Sequence, residues 1–256
     1  MKEAPLFAIV TGGCSGLGHA VSSYLIAAGW EVCIFDINQE QGKQISFTLH
    51  PTRCSFKQVD VTNVESVEQA VNDLADERIS LLVNCAGIAP AKRMLNRQGE
   101  AIALDDFAKV ININLIGSFN VARLVAASMA KNEASNEDGQ RGVIINTASV
   151  AGYEGQIGQT AYAASKAGLI GLTLPMARDL AASGIRVNSI APGIMGTPML
   201  LAMPENVQEG LASNVQHPKR LGLPEEFAKL ALHIFENSYI NGETIRLDGA
   251  LRMPPK

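Results

Sequence analysis

The chain has 256 residues, 47% of them hydrophobic and 18% charged, with a net charge of −4. That length suits one large or two small domains, and the composition excludes a disordered chain. The mild acidity argues against nucleic acid as the main partner, because phosphates call for a basic face. No run of about 18 apolar residues is present, so no membrane span is expected. Cys14, Cys33, Cys54 and Cys85 form no C-x-x-C pair, and the four histidines show no ligand spacing, so no metal site is expected.

Leu6 to Val10 is a continuous apolar run ending in Thr-Gly-Gly, the pattern of a strand buried on both faces. A helical pattern follows over 16–28 and stops at Gly29. Next come a strand over 31–35 closed by Asp36, a helix over 39–47, a strand over 54–58, a helix over 64–75 and a strand over 81–84. The second half continues with a helix over 104–130, a strand over 143–146 and a helix over 160–182 ended by Gly184. Pro175 is expected to kink that last helix. A strand over 185–190, a helix over 224–235 and a strand over 244–247 complete the series. The rhythm runs through the whole chain without a linker. It predicts one α/β domain over 1–256, with a seven-stranded parallel sheet and helices on both faces.

Three segments break the rhythm. Residues 88–103 and 131–142 are polar, the latter reading as an exposed turn. Residues 193–222 carry spare apolar residues (Met195, Met199, Leu200, Leu201, Met203) and suit a lid over an apolar ligand.

Thr11-Gly12-Gly13-Cys14-Ser15-Gly16-Leu17-Gly18 joins the first strand to the first helix. Gly12 permits the tight turn, while Gly16 and Gly18 let the backbone approach a pyrophosphate at the helix N-terminus. Asp36 ends the second strand, where a carboxylate accepts both ribose hydroxyls of NAD and repels a 2′-phosphate. No Lys or Arg lies in 11–18 or 37–42 to offset it, so NAD is expected over NADP. Asp60-Val61 and Asn84-Cys85-Ala86-Gly87 follow the third and fourth strands, flanking the adenine and the ribose.

Tyr162 and Lys166 lie four apart, on one helix face. An ammonium ~5 Å from the phenol at effective dielectric ~20 favours the phenolate by roughly 3 kcal/mol, which is about two pKa units. Tyr162 then becomes a proton acceptor. Ser149 follows the fifth strand and is placed to bind the substrate oxygen. Asn114 is expected to hold Lys166 through water in a proton relay.

The segments TGGCSGLG, NCAG, INTAS, YAASK and APG (Ala191-Pro192-Gly193) resemble the short-chain dehydrogenase/reductase family over 6–250. The resemblance implies a Rossmann fold, NAD as cofactor and a homotetramer. GQRGVIINTASVAGYEGQIGQTAYAASKAG, GIRVNSIAPG and NGETIRLDGALRM are similar to one branch of that family. That branch implies oxidation of a 3-hydroxyacyl-CoA to a 3-oxoacyl-CoA in β-oxidation, with Asn114, Ser149, Tyr162 and Lys166 catalytic. The family's cofactor positions carry over to Ser15, Leu17, Asp36, Asp60, Val61, Cys85, Tyr162, Lys166 and Thr197, with Pro192, Gly193 and Met195 beside them. Ser149 and Tyr162 match the substrate contacts. Met195 departs from the aromatic residue the branch often carries near the nicotinamide.

Mitochondrial members start with a longer basic segment, so a cytoplasmic protein is expected here, or the mitochondrial matrix for a eukaryotic source. The alternative reading is a 3-oxoacyl-carrier-protein reductase or a steroid or secondary alcohol dehydrogenase. Arg141, Lys219 and Arg220 are then the candidates for carrier docking. Small residues on the helices over 104–130 and 160–182 (Ala122, Ala126, Ala127; Ala161, Ala164, Gly168, Gly171) suggest faces for a subunit contact.

Overall fold

The computed structural model describes residues 5–255, without the side chains of Met199 and Val207. Seven strands are β1 (Phe7–Thr11), β2 (Glu31–Asp36), β3 (Cys54–Gln58), β4 (Ile79–Asn84), β5 (Gly142–Thr147), β6 (Ile185–Pro192) and β7 (Thr244–Leu247). They form one parallel sheet in the order β3-β2-β1-β4-β5-β6-β7. The order reverses between β1 and β4. A crevice therefore opens at the carboxyl ends of these two strands, where open α/β sheets bind ligands.

The reason β1 is apolar from Phe7 to Val10 is now visible. Successive side chains of a strand point to opposite faces. Ile9 joins the core beneath α3 (Val64–Asn72), α5 (Ser118–Met129) and α6 (Thr160–Leu180). Ala8 and Val10 join the core beneath α1 (Gly16–Ala27) and α9 (Pro224–Glu236). The remaining central helices are α2 (Gln39–Leu49), whose N-cap is Asn38, and α4 (Leu104–Ile111). α6 runs through Pro175 as one element.

Two expectations change. The predicted helix over 104–130 is three pieces: α4, a π-helical turn over Asn112–Gly117, and α5. By length and composition Leu104–Met129 would suffice to cross a membrane, although no such segment was expected. Half of its apolar window is buried, with α5 packed on the sheet, as in the core helix of an α/β domain. The lid region contains two short helices, α7 (Pro198–Leu201) and α8 (Glu205–Ser213). The side chain of Met199, one of the predicted lid residues, lies outside the described set.

The segment 193–222 is pinched at its neck. Met195 pairs with Gly222, and the amides of Gly196 and Gly222 donate to Gly222 O (2.8 Å) and Ile194 O (3.0 Å). Arg220 closes the downstream side with bonds of 2.9 and 2.7 Å to the Glu226 carboxylate. That guanidinium, together with the Leu223 amide, holds the Glu226 carboxyl down at about 2. The polar insert 131–142 lies at the other end of the sheet, mostly exposed, and is tied down by Asn132 and Arg141.

Candidate active site

The glycine turn sits over the crevice. Gly12 has φ +64°, and its amide donates to Phe35 O at 2.8 Å. A Cβ at Gly18 would lie 2.3 Å from Gly12 O, so the helix start and the turn are in backbone contact. Thr11 ties this turn to the end of β4. Its hydroxyl accepts from the amides of Cys85 (3.1 Å) and Ala86 (3.0 Å) and lies 3.5 Å from Asn84 Oδ1.

A cavity of about 600 Å³ runs along the carboxyl ends of the strands. Gly12, Ser15, Gly16, Leu17, Gly18, Asp36, Asp60, Val61, Cys85, Ala86, Gly87, Tyr162, Lys166 and Thr197 all line it. The wall also includes residues that were not predicted, among them Phe35, Ile37, Val59, Ile88, Ile113 and Pro198. Hydrophobic residues flanking a strand end carry no pattern that separates a cavity wall from a core.

Four predicted cofactor residues are absent from that wall. Asn84 is buried, donating to Ser118 O (3.2 Å) and Asn146 Oδ1 (3.0 Å), so it fastens β4 to α5 and β5 instead. Pro192 is buried as the last residue of β6. Gly193 bonds through its amide to Leu247 O at 2.9 Å, and a Cβ there would meet Asp248. Met195 packs into the α1/α9 core and lines a separate cavity of about 230 Å³ behind the lid neck. An apolar side chain at the lid hinge gains more by burial than by facing a wet crevice.

Asp36 serves two purposes at once. Its oxygens accept from the amides of Cys14 (3.1 Å) and Asn38 (3.1 Å), which shapes the turn after β2. Each carboxylate oxygen has capacity for a further donor, and the residue faces the cavity. Asp60 likewise accepts from the Thr62 amide (2.9 Å) and hydroxyl (2.7 Å).

At the far end of the cavity Tyr162 and Lys166 line the wall, while the predicted Ser149 is absent from it and lies buried beside the Tyr162 phenol. Burial holds the Tyr162 phenol above its ordinary value of 10, and the Ser149 hydroxyl pulls the other way. The expected pull from Lys166 is outweighed in the free protein. The ammonium lies 5.7 Å from the Tyr162 ring centroid and donates to Thr147 O at 2.5 Å. Burial brings Lys166 itself down to about 8, opposed by the neighbouring Cys85. Desolvation penalises both charged forms here, and it exceeds the single-pair attraction. Desolvation pushes the half-buried Cys85 thiol up to about 11, which keeps it protonated at neutral pH.

Asn114 is fully buried in the π-helical turn, a distortion that recurs at functional sites. Its amide group clasps Ile88, accepting from the Ile88 amide (2.8 Å) and donating to Ile88 O (2.9 Å). It also donates to Ser165 Oγ (3.1 Å), which in turn donates to Tyr162 O (2.7 Å). A Cβ at Gly87 would stand 3.1 Å from Asn114 Oδ1 and 3.8 Å from Lys166 Nζ. Glycine therefore keeps open the gap between those two groups that a relay water requires. Ser165 and Thr147 are contacts the sequence pattern did not single out. The serine of Tyr-Ala-Ala-Ser-Lys was the available signal.

The wall fits a dinucleotide. It offers unfilled backbone at a helix N-terminus for a pyrophosphate, a carboxylate at the β2 end for ribose, and an ammonium at the opposite end. Among the described residues no group of three or more His, Cys, Asp or Glu side chains could hold a metal ion.

A family model for short chain dehydrogenases matches residues 6–208. The chain belongs to the short chain dehydrogenase family and is an oxidoreductase, in a family that generally uses NAD(P). It is 52% identical over 254 residues to the 3-hydroxyacyl-CoA dehydrogenase type-2 of Bos taurus, covering 98% of this chain and 96% of that protein. The crystal structure of the 3-hydroxyacyl-CoA dehydrogenase type-2 from Mycobacterium avium superposes with a TM-score of 0.92 at 47% identity, covering 98% and 97% of the two chains. The 3-oxoacyl-(acyl-carrier-protein) reductase FabG of Thermotoga maritima is 36% identical, covering 95% of this chain and 96% of that one.

Proposed function

We propose that the protein oxidises 3-hydroxyacyl-CoA thioesters to 3-oxoacyl-CoA, reversibly and with NAD. The observation that carries this reading is Tyr162 and Lys166 side by side in the wall of a dinucleotide-sized cavity, with the Ser149 hydroxyl beside the phenol. Similarity to 3-hydroxyacyl-CoA dehydrogenases over 98% of the chain supports the substrate class.

Bound NAD supplies the hydride acceptor. Tyr162 Oη takes the proton of the substrate hydroxyl as C3 loses its hydride. Ser149 Oγ holds the same oxygen and stabilises its developing charge. Lys166, steadied by Thr147 O, lies beside the phenolate and compensates its charge. Asn114, fixed by Ile88 and Ser165, borders the gap through which that proton passes towards solvent. In the reverse direction Tyr162 donates.

The purified protein is expected to oxidise NADH with acetoacetyl-CoA, read as loss of absorbance at the reduced-nicotinamide band. A higher kcat/KM on the acyl-carrier-protein thioester than on the CoA thioester overturns the reading in favour of a reductase. Two of the three candidate docking cations support CoA over carrier. Arg220 is engaged by Glu226, and Arg141 donates to Asn132 O within the polar insert.

Asp36 supports NAD over NADP. Its charge opposes a ribose phosphate by about 2 kcal/mol at an effective dielectric near 20 once solvent screening is included. Asp36→Asn keeps the shape and one turn acceptor while removing the charge. The NADPH-to-NADH ratio of kcat/KM is expected to rise about 30-fold in this variant. An unchanged ratio assigns the selectivity elsewhere.

The exposed faces also support a homo-oligomer, a tetramer by the family resemblance. Ala122 and Ala126 are covered by the chain's own core, but Phe119 and Ile116 remain about half exposed at 48% and 52%. Leu174, Ala164 and Gly171 of α6 are exposed as well.

A further inference from the structure

The segment between Ser149 and Tyr162 is anchored from outside the site. Its first half is a rigid turn: the amides of Gly152, Tyr153 and Glu154 donate to Ser149 O, Val150 O and Val150 O, each at 3.0 Å. Ser149 Oγ accepts from the Ala151 amide at 3.1 Å within the same turn. A displacement of Glu154 is therefore carried to Ser149 through hydrogen-bonded backbone.

The Glu154 carboxylate points away from the cavity and towards the end of the chain. One oxygen accepts from Arg246 of β7, and the other accepts from the Met253 amide at 3.0 Å. The tail continues along the segment. Gln156 Nε2 donates to Pro254 O (3.0 Å) and the Ile157 amide to Pro255 O (3.1 Å). Arg246 is itself braced by Asp248 at 2.7 Å and lies 5.2 Å from the Tyr153 ring centroid. On the opposite side the Lys92 amide donates to Gly158 O at 2.9 Å. The side chains of Glu154 and Arg246 are only 21% and 24% exposed, so this pair is screened less than a surface ion pair.

We propose that Glu154 is a positioning residue for the reaction: held by Arg246 and the C-terminal tail, it keeps Ser149 and Tyr162 in register. The inference rests on the roles assigned above to Ser149 and Tyr162. Glu154 touches neither the cavity nor those side chains, so it acts only through the segment it anchors.

The test compares wild type, Glu154→Gln, Glu154→Asp and a chain ending at Arg252. Each is assayed with NAD and 3-hydroxybutyryl-CoA, protonated or deuterated at C3, from pH 6 to 10. Glu154→Gln is expected to lower kcat about tenfold, the scale of a sub-ångström misplacement of reacting groups. The KM for NAD stays within about twofold, because the cofactor wall is untouched. The deuterium isotope effect rises, and the acid limb of kcat/KM moves to higher pH as the Ser149 contact with Tyr162 loosens. Lys166 and its neighbour Cys85 keep their own partners in every variant. Glu154→Asp retains the charge and most of the rate. The shortened chain reproduces the effect in milder form and stays readable should Glu154→Gln fold poorly. The two changes combined cost less than their product, since both cut one anchor.

An unaltered kcat and isotope effect in both Glu154→Gln and the shortened chain overturns the positioning role. So do losses that multiply when the two are combined. A wild type active on a simple secondary alcohol but not on the thioester overturns the substrate reading alone, and the same variants are then read on the alcohol. A wild type inactive on both overturns the functional reading and this inference together.

Discussion

Tyr162→Phe lowers kcat for 3-hydroxyacyl-CoA oxidation about 1,000-fold, with NADH affinity within about twofold of wild type. The substitution removes one oxygen and keeps the ring, so the cavity wall is preserved. General acid–base groups contribute typically 10²–10⁴-fold, and a loss of about 1,000-fold corresponds to roughly 4 kcal/mol of barrier. Steady-state kinetics and NADH fluorescence titration measure the two halves of this statement. Turnover within tenfold of wild type removes Tyr162 from the mechanism.

The same residue sets the pH dependence. In the free protein burial keeps the phenol above 10, so its neutral form dominates through the physiological range. Oxidation needs the phenolate, so kcat/KM for oxidation rises about tenfold per pH unit below the apparent pKa. Reduction needs the phenol and has no such loss towards acid. A bound oxidised nicotinamide ring is positive and would draw the phenol down, so the oxidation limb should bend over at lower pH than the free protein's value. Tyr162→Phe removes this limb. Lys166, at about 8, contributes a second inflection as its ammonium is lost on the alkaline side.

Arg186→Met produces the largest expected loss of stability. Arg186 is 8% exposed at the amino end of β6, away from the site. Its guanidinium donates to Ile234 O (2.8 Å), Phe235 O (2.7 Å), Ile240 O (2.6 Å) and Gln140 Oε1 (2.9 Å). No carboxylate pairs with it among the described residues. It serves instead the final carbonyls of α9, where the helix dipole is negative. Burial lowers its pKa to about 10, which still leaves it charged at neutral pH. Methionine keeps the stem but strands one buried and two partly buried carbonyls, each costing up to about 1–3 kcal/mol, and part of this is offset because a buried charge is also removed. A net loss of about 3 kcal/mol lowers Tm by roughly 6–12 °C for a domain of this size. Thermal unfolding at pH 7 measures it, and kcat is expected to stay within about twofold. A Tm shift under about 2 °C means that water satisfies those carbonyls.

Much of the architecture was legible from local pattern. The predicted β3 and β7 ranges match the observed Cys54–Gln58 and Thr244–Leu247, and the other five strands differ by one or two residues at an end. Continuous apolar runs closed by Gly or Asp leave little choice, because a strand buried on both faces has no polar side. The helix over 104–130 was harder. Apolar periodicity looks the same through a π-helical turn as through an α-helix, so the distortion that places Asn114 leaves no mark in the pattern. The lid helices were missed because α7 has four residues and α8 is largely exposed, which weakens the periodic signal.

The site divides along similar lines. The place of Gly12, Gly16 and Gly18 in the cavity wall was readable because a tight strand-to-helix turn calls for residues without a side chain. Tyr162 and Lys166 were readable because a helix fixes residues four apart on one face. Asn84 and Met195 were misplaced because the direction of a side chain at a strand end depends on its neighbours in space. Asn84 answers to Asn146 and Ser118, and Met195 answers to Gly222.

The sequence by itself determined one α/β unit, its strand–helix order, the glycine turn and the Tyr–Lys pair. All of these follow from short-range geometry, with periods of two and 3.6 residues and the freedom of glycine. Only the tertiary structure decided how charge and protons are distributed among those groups. Burial, which no local pattern measures, raises Tyr162 and lowers Lys166, reversing the sign expected from their spacing alone. It also joined Glu154 to a tail about 100 residues further along the chain. That contact exists because β7 and the segment after it return along the edge of the sheet to the side where Ser149 stands.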